Sequence, residues 1–107
     1  MKLKSKSQYE ARARIARALA HPSRLLLLDA LQSQPMCVLE LTELVGSDQS
    51  TVSKHLAVLR ETGLVQVERK GSLSLYSIRC QCLEQFFGCL ESVLEENVRF
   101  HQGLVQL

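Results

Sequence analysis

The chain has 107 residues, 46% of them hydrophobic and 22% charged, with a formal net charge of +2. That length holds one domain of ordinary size and excludes a second, while the composition excludes a wholly disordered chain. No apolar run is longer than the four residues Leu25 to Leu28, far short of the roughly 20 that span a membrane. The basic start Lys2, Lys4, Lys6 leads into no apolar secretory stretch, so a soluble, cytoplasmic protein with no membrane partner is expected.

Charge is segregated along the chain. Residues 1–24 carry seven basic and one acidic side chain, 25–59 one and four, 60–79 four and two, and 80–107 one and four. Alternating blocks of this kind suit a protein that lays particular edges on a polyanion, and they equally suit solvated helix faces with a basic tail. The cysteines are Cys37, Cys80, Cys82 and Cys89. Without secretion, cytoplasmic thiols stay reduced, which favours metal binding or redox chemistry over cross-links and leaves free, buried cysteine as the plain alternative.

In chain order, a basic flexible tail over 1–7 precedes a helix over 8–20, whose Ala11, Ile15, Ala18 and Leu19 recur at helical spacing. Pro22 opens a second helix through Leu25, Leu28 and Leu31 that stops before Pro35. A short third helix covers 38–45, with Leu41, Leu44 and Val45 as its stripe and Gly46 as a left-handed exit. Asp48 is an N-cap for a helix over 49–62 with Val52, Leu56 and Leu59 on one face. Alternation at Val65 and Val67, then at Leu73 and Leu75, predicts a hairpin that turns at Lys70 and Gly71. From Leu83 to the end, Phe86, Phe87, Leu90, Val93, Leu94, Val98 and Leu104 keep a three-to-four spacing. A terminal helix that long on so small a core predicts pairing with its twin about a two-fold axis. The expected fold is one domain over 1–107, mostly α with a small β-hairpin: a winged helix-turn-helix dimerised through terminal helices, with 83–107 as the dimerisation helix.

The string LTELVGSDQSTVSKHLAVLRETGLV, residues 41–65, has the short helix, tight turn and longer helix of a DNA-binding helix-turn-helix. Gln49, Ser50, Thr51, Ser53, Lys54 and His55 form the hydrogen-bonding and basic front that a recognition helix needs, while Arg69 and Lys70 lie on the hairpin. Gln reads adenine, Ser and Thr reach phosphates or base edges, Lys meets phosphate or guanine, and a helix N-terminus favours phosphate. His21, His55 and His101 are scattered in sequence and no nucleophile is paired with a base, so no enzymatic activity is expected.

ALAHPSRLLLLDAL at 18–31, QSTVSKHLAVLRETGLV at 49–65 and RKGSLSLYSI at 69–78 resemble the ArsR/SmtB group of winged helix-turn-helix metalloregulators, of the arsenical-repressor type. The resemblance spans roughly residues 10–90. It implies a homodimeric repressor that binds an imperfect inverted repeat in double-stranded DNA and is released by an inducer, commonly a thiophilic metal or metalloid. No cofactor is implied for DNA binding itself. It also implies that the second half of 41–65 enters the major groove while Arg69 to Ser72 ride the backbone or minor groove; Ser72 departs from a position that is often basic.

Two inducer sites are implied by the same resemblance. One uses a C-x-C pair before the recognition helix, of which Cys37 is present while Leu39 replaces its partner. The other lies at the last helix, where Cys80 and Cys82 fall on the ligand pair; of the positions expected from the second subunit, Val93 cannot ligate and Glu96 can. Cys89 is the remaining soft ligand, so trivalent arsenic or antimony on Cys80, Cys82 and Cys89 is the leading expectation, with another thiophilic metal possible and Cys37 dispensable. Seven residues of regular helix would separate Cys82 from Cys89 by about 10.5 Å, so this site requires the helix to begin after Cys82. A thiol-oxidation sensor of the same fold and a metal-carrying, non-regulatory protein stand as alternatives.

Overall fold

The computed structural model describes the backbone of residues 2–106 and the side chains of residues 2–101. Helix α1, Lys6–Leu19, starts earlier than the spacing predicts, because Ser5 and Gln8 form a capping box: the Ser5 N–H donates to Gln8 Oε1 at 2.8 Å and the Gln8 N–H to Ser5 Oγ at 3.3 Å. The tail expected over 1–7 therefore ends at Ser5. Helix α2, Pro22–Ser33, carries Pro22 in its first turn, and its N-cap is His21, whose Nδ1 accepts from the Ser23 N–H at 3.1 Å.

A two-residue strand, β1 (Met36–Cys37), precedes α3 (Val38–Val45). The sequence does not predict it, since two residues display no alternation to read. Gly46 leaves α3 with φ 78°, the left-handed exit for which glycine is suited. Helix α4, Gln49–Glu61, is capped by Asp48, which accepts from the Thr51 N–H at 2.9 Å. Strands β2 (Val65–Lys70) and β3 (Leu73–Ile78) pair antiparallel with Lys70 opposite Leu73. The tight turn is thus Gly71–Ser72, one residue later than expected. Gly71 has φ 63° and no non-glycine residue among those described has positive φ, the pattern of a turn with glycine in its first central position.

The sheet order is β1-β3-β2, with Met36 opposite Tyr76 and Cys37 opposite Leu75. Above it α2, α3 and α4 bury Leu27, Leu28, Leu41, Val52, Leu56 and Leu59, and Val65 closes the core from β2. Each such side chain contributes about 1.5 to 3 kcal/mol by leaving water. Helix α5, Leu83–Gln106, anchors itself through buried Leu83 and the partly buried Phe87, then runs outward. Leu90, Val93, Leu94 and Val98 remain 38%, 55%, 57% and 55% exposed; the Leu104 side chain lies outside the described residues. Among the described residues no helix is long and apolar enough to cross a membrane.

Candidate nucleic-acid interface and thiol site

With Val52, Leu56 and Leu59 turned into the core, the 3.6-residue repeat puts Ser50, Lys54, Ala57 and Glu61 on the opposite side of α4. All four are exposed, as are Gln49 and Ser53, while Thr51 is half-buried. Beside this helix an open cleft of about 350 Å³, lined by Ser53, Ala57, Arg60, Glu61 and Tyr76, separates α4 from the hairpin. Arg69 and Lys70 are exposed at the end of β2, next to the Gly71 turn.

Two expectations for this face change. The N-terminus of α4 is occupied by the Asp48 carboxylate, whose hydrogen bond from Thr51 holds its pKa below the ordinary 3.8; that negative charge makes the helix end a poor seat for a phosphate. His55 does not join the exposed front. It is half-buried, its ring centroid lies 4.4 Å from that of His21, and its Nδ1 accepts from Arg24 Nε–H at 3.1 Å. Residues scattered in sequence, His21, Arg24 and His55, are thus gathered where α1 and α2 meet α4. The Ala-His-Pro-Ser-Arg string from Ala20 to Arg24 supplies two members of this cluster, but its signal is one of tertiary contact rather than of spacing.

At the other end of the wing, β3 gives way to Arg79, Cys80, Gln81 and Cys82, and α5 begins at Leu83, after Cys82 as the thiol site requires. The Sγ atoms of Cys80 and Cys82 approach to 3.1 Å. Cys80 is half-buried against the core and Cys82 exposed. The hydrogen bond that Cys82 shares with Cys80, then the charge of Cys80, pushes the Cys82 thiol above the ordinary 9.0. Arg79 is engaged elsewhere: its N–H donates to the Leu64 carbonyl at 3.0 Å, and a Cβ on Gly63, whose φ is 83°, would meet its guanidinium at 2.9 Å.

Cys89 is exposed on α5 and is not drawn in with the pair; among the described residues no three His, Cys, Asp or Glu side chains are gathered as metal ligands. Glu96 pairs with Arg99 at 2.8 Å. Cys37, half-buried, is the N-cap of α3, and its N–H donates to Glu40 Oε1 at 3.1 Å. Two of the thiols, Cys80 and Cys82, are therefore brought together, with Cys89 on the adjoining helix.

Residues 21–67 match the model of the family described as bacterial regulatory protein, arsR family. Over 98 residues the chain is 38% identical to the HTH-type transcriptional regulator NmtR of Mycobacterium tuberculosis, covering 89% of this chain and 79% of that protein. The chain belongs to the ArsR family. Its structure is similar to the crystal structure of Rv0081 of M. tuberculosis, with a TM-score of 0.83 and 31% identity over 91% of this chain and 98% of that one. It is also similar to a homodimeric winged helix-turn-helix DNA-binding domain of Mycobacterium bovis, with a TM-score of 0.78 and 28% identity over 94% and 96% of the two chains. As an ArsR-family protein it is a transcriptional regulator, and its α3-turn-α4 unit and β2-β3 hairpin are the helix-turn-helix and the wing.

Proposed function

We propose that the protein is a homodimeric repressor of an imperfect inverted repeat in double-stranded DNA, released when thiols at the β3–α5 junction bind a thiophilic metal or metalloid, trivalent arsenic or antimony foremost. The approach of Cys80 to Cys82 at 3.1 Å carries the reading: it sets a soft donor pair between the wing and the outward-running helix. Dimerisation is supported by the exposed apolar row Leu90, Val93, Leu94 and Val98, and by the homodimeric state of the M. bovis relative.

On DNA, Gln49, Ser50, Ser53 and Lys54 supply the groove-facing set and Arg69 and Lys70 the wing contacts to phosphate. A trivalent arsenic or antimony centre supplies strong bonds to as many as three thiolates. Cys80 and Cys82 stand ready for two. Cys89 lies six residues, about 9 Å along the axis, beyond Leu83, the first residue of α5, so it reaches them only if Cys80 and Cys82 fold back toward it and the start of α5 rearranges. Drawing Cys89 in therefore moves α5, and with it the spacing of one DNA turn between the two recognition helices.

Anisotropy of a labelled duplex from the protein's own promoter, titrated with arsenite, antimonyl, cadmium, zinc, nickel and cobalt, tests the proposal. Serine at Cys80, Cys82 or Cys89 should each abolish release by arsenite while operator affinity is kept, and Cys37→Ser should still respond. A blocked Cys37→Ser variant would move the site to α3, and a normal Cys89→Ser variant would reduce it to two thiols. The same sulfur contact favours one second reading, closure of Cys80 and Cys82 to a disulfide by a peroxide or disulfide oxidant. Release by the oxidant and reversal by dithiothreitol, with no response to metals, would select it.

A further inference from the structure

The cluster at the corner of α1, α2 and α4 is not used by the functions above. Arg24, in the first turn of α2, donates from Nε to His55 Nδ1 at 3.1 Å and from Nη1 to the Ala18 carbonyl at 3.5 Å near the end of α1. His21 caps α2 and lays its ring against that of His55. One guanidinium thus ties the C-terminus of α1 to the middle of α4, the helix whose far side carries Ser50 and Lys54. Among the described residues the ion pair present is Glu96 with Arg99, so no carboxylate neutralises this corner.

We propose that Arg24 is a positioning residue for the recognition helix, holding α4 through neutral His55, and that protonation of His55 releases the hold and weakens operator binding. The role rests on the DNA-binding reading above. The hydrogen bond needs a lone pair on Nδ1, which places the imidazole proton on Nε2. A second proton on Nδ1 removes the acceptor and sets an imidazolium against a guanidinium at hydrogen-bond range. The titratable and charged groups that face His55 are His21 and Arg24, both from the α2 end, and neither can compensate a new positive charge. Removal from water, then the fields of His21 and Arg24, already hold His55 below the ordinary imidazole value of 6.5.

The sign separates this role from general electrostatics. Falling pH adds positive charge to the protein and by itself strengthens its attraction to phosphate; loss of the Arg24 hold acts the other way. The probe is a labelled duplex that the full-length wild type selects from a random-sequence pool at about pH 8, and the readout is the ratio of affinities at about pH 8 and pH 5.5 within each variant. Wild-type affinity should fall once pH drops below the folded value of His55, which lies under 6.5, by up to about tenfold per pH unit, the limit for one linked proton. In His55→Asn, whose Oδ1 stands near the former Nδ1 and accepts from Arg24 without titrating, the profile should be flat or rise toward acid. Arg24→Ala should bind more weakly than His55→Asn at about pH 8 and also lose the acid fall. Circular dichroism at each pH checks folding, and if Arg24→Ala does not fold, the His55→Asn profile decides. A wild type that binds the duplex equally or more tightly in acid, or a His55→Asn profile that falls as the wild type's does, overturns the role and leaves DNA binding standing. A wild type that selects no duplex at pH 8 overturns both.

Discussion

Helices α4 and α5 carry the same kind of apolar repeat and meet opposite fates. In α4, Val52, Leu56 and Leu59 are fully buried, whereas in α5 Leu90, Val93, Leu94 and Val98 remain 38 to 57% exposed. The difference lies in geometry rather than in hydrophobicity. Helix α4 lies between α2, α3 and the sheet, where its stripe has partners, while α5 is held by Leu83 and Phe87 at one end and outruns the core. Periodicity therefore states that a helix needs a partner surface, and the fold states whether that surface belongs to the same chain.

The contrast is broken most severely in α4. Leu56→Ala should destabilise the chain by about 2 to 5 kcal/mol, through the forfeited transfer energy and the cavity left behind, as read from urea unfolding; in a domain this small that threatens folding itself. Leu94→Glu or Val93→Glu should leave the fold intact by circular dichroism and shift the species in sedimentation from dimer to monomer, with loss of tight duplex binding. A dimer that survives both changes would place the interface elsewhere.

Smaller effects sharpen the comparison. Lys54→Ala on α4, or Arg69→Ala on the wing, should lower the slope of log affinity against log salt by about one for each DNA phosphate the side chain no longer neutralises, while removal of the α5 charge at Arg99 should leave that slope alone. Gly71→Ala should cost about 1 kcal/mol, because φ of 63° at the hairpin turn strains a side chain. The smallest expected effects follow pH. With His55 held below 6.5, the unfolded chain binds more protons than the folded one as pH drops through that range. The stability contributed by neutral His55 is complete above 6.5 and is lost as pH falls through its folded value. Thermal melts should show that loss in the wild type and not in His55→Asn. For the thiols, Cys82 is held above 9.0, so affinity for a divalent thiophilic cation such as cadmium, whose binding releases the thiol protons, should rise with pH until Cys82 ionises.

Much of this architecture was legible in the sequence because its signals are local. Pro22, Gly46, Asp48 and Gly71 act within one turn of their own backbone, and the stripes of α2 and α4 repeat often enough to read. The start of α5 at Leu83 was legible in the apolar spacing that begins there, and the exposed polar face of α4 in the apolar stripe behind it. What escaped was short or distant. Strand β1 exists because β3 offers Tyr76 and Leu75 as partners for Met36 and Cys37, and two residues alone carry no pattern.

The amino-acid order by itself determined helix ends, turns, the apolar faces and which side chains could serve as soft ligands, because each depends on dihedral preference, spacing or side-chain chemistry. Tertiary structure decided the partners. It brought the thiols of Cys80 and Cys82 within 3.1 Å while leaving Cys89 on the helix beyond, and it turned His55 from the recognition face toward Arg24, 31 residues away in sequence. A hydrogen bond between distant residues depends on how whole helices pack, and packing is settled by the summed burial of the core rather than by the residues that happen to meet at its edge.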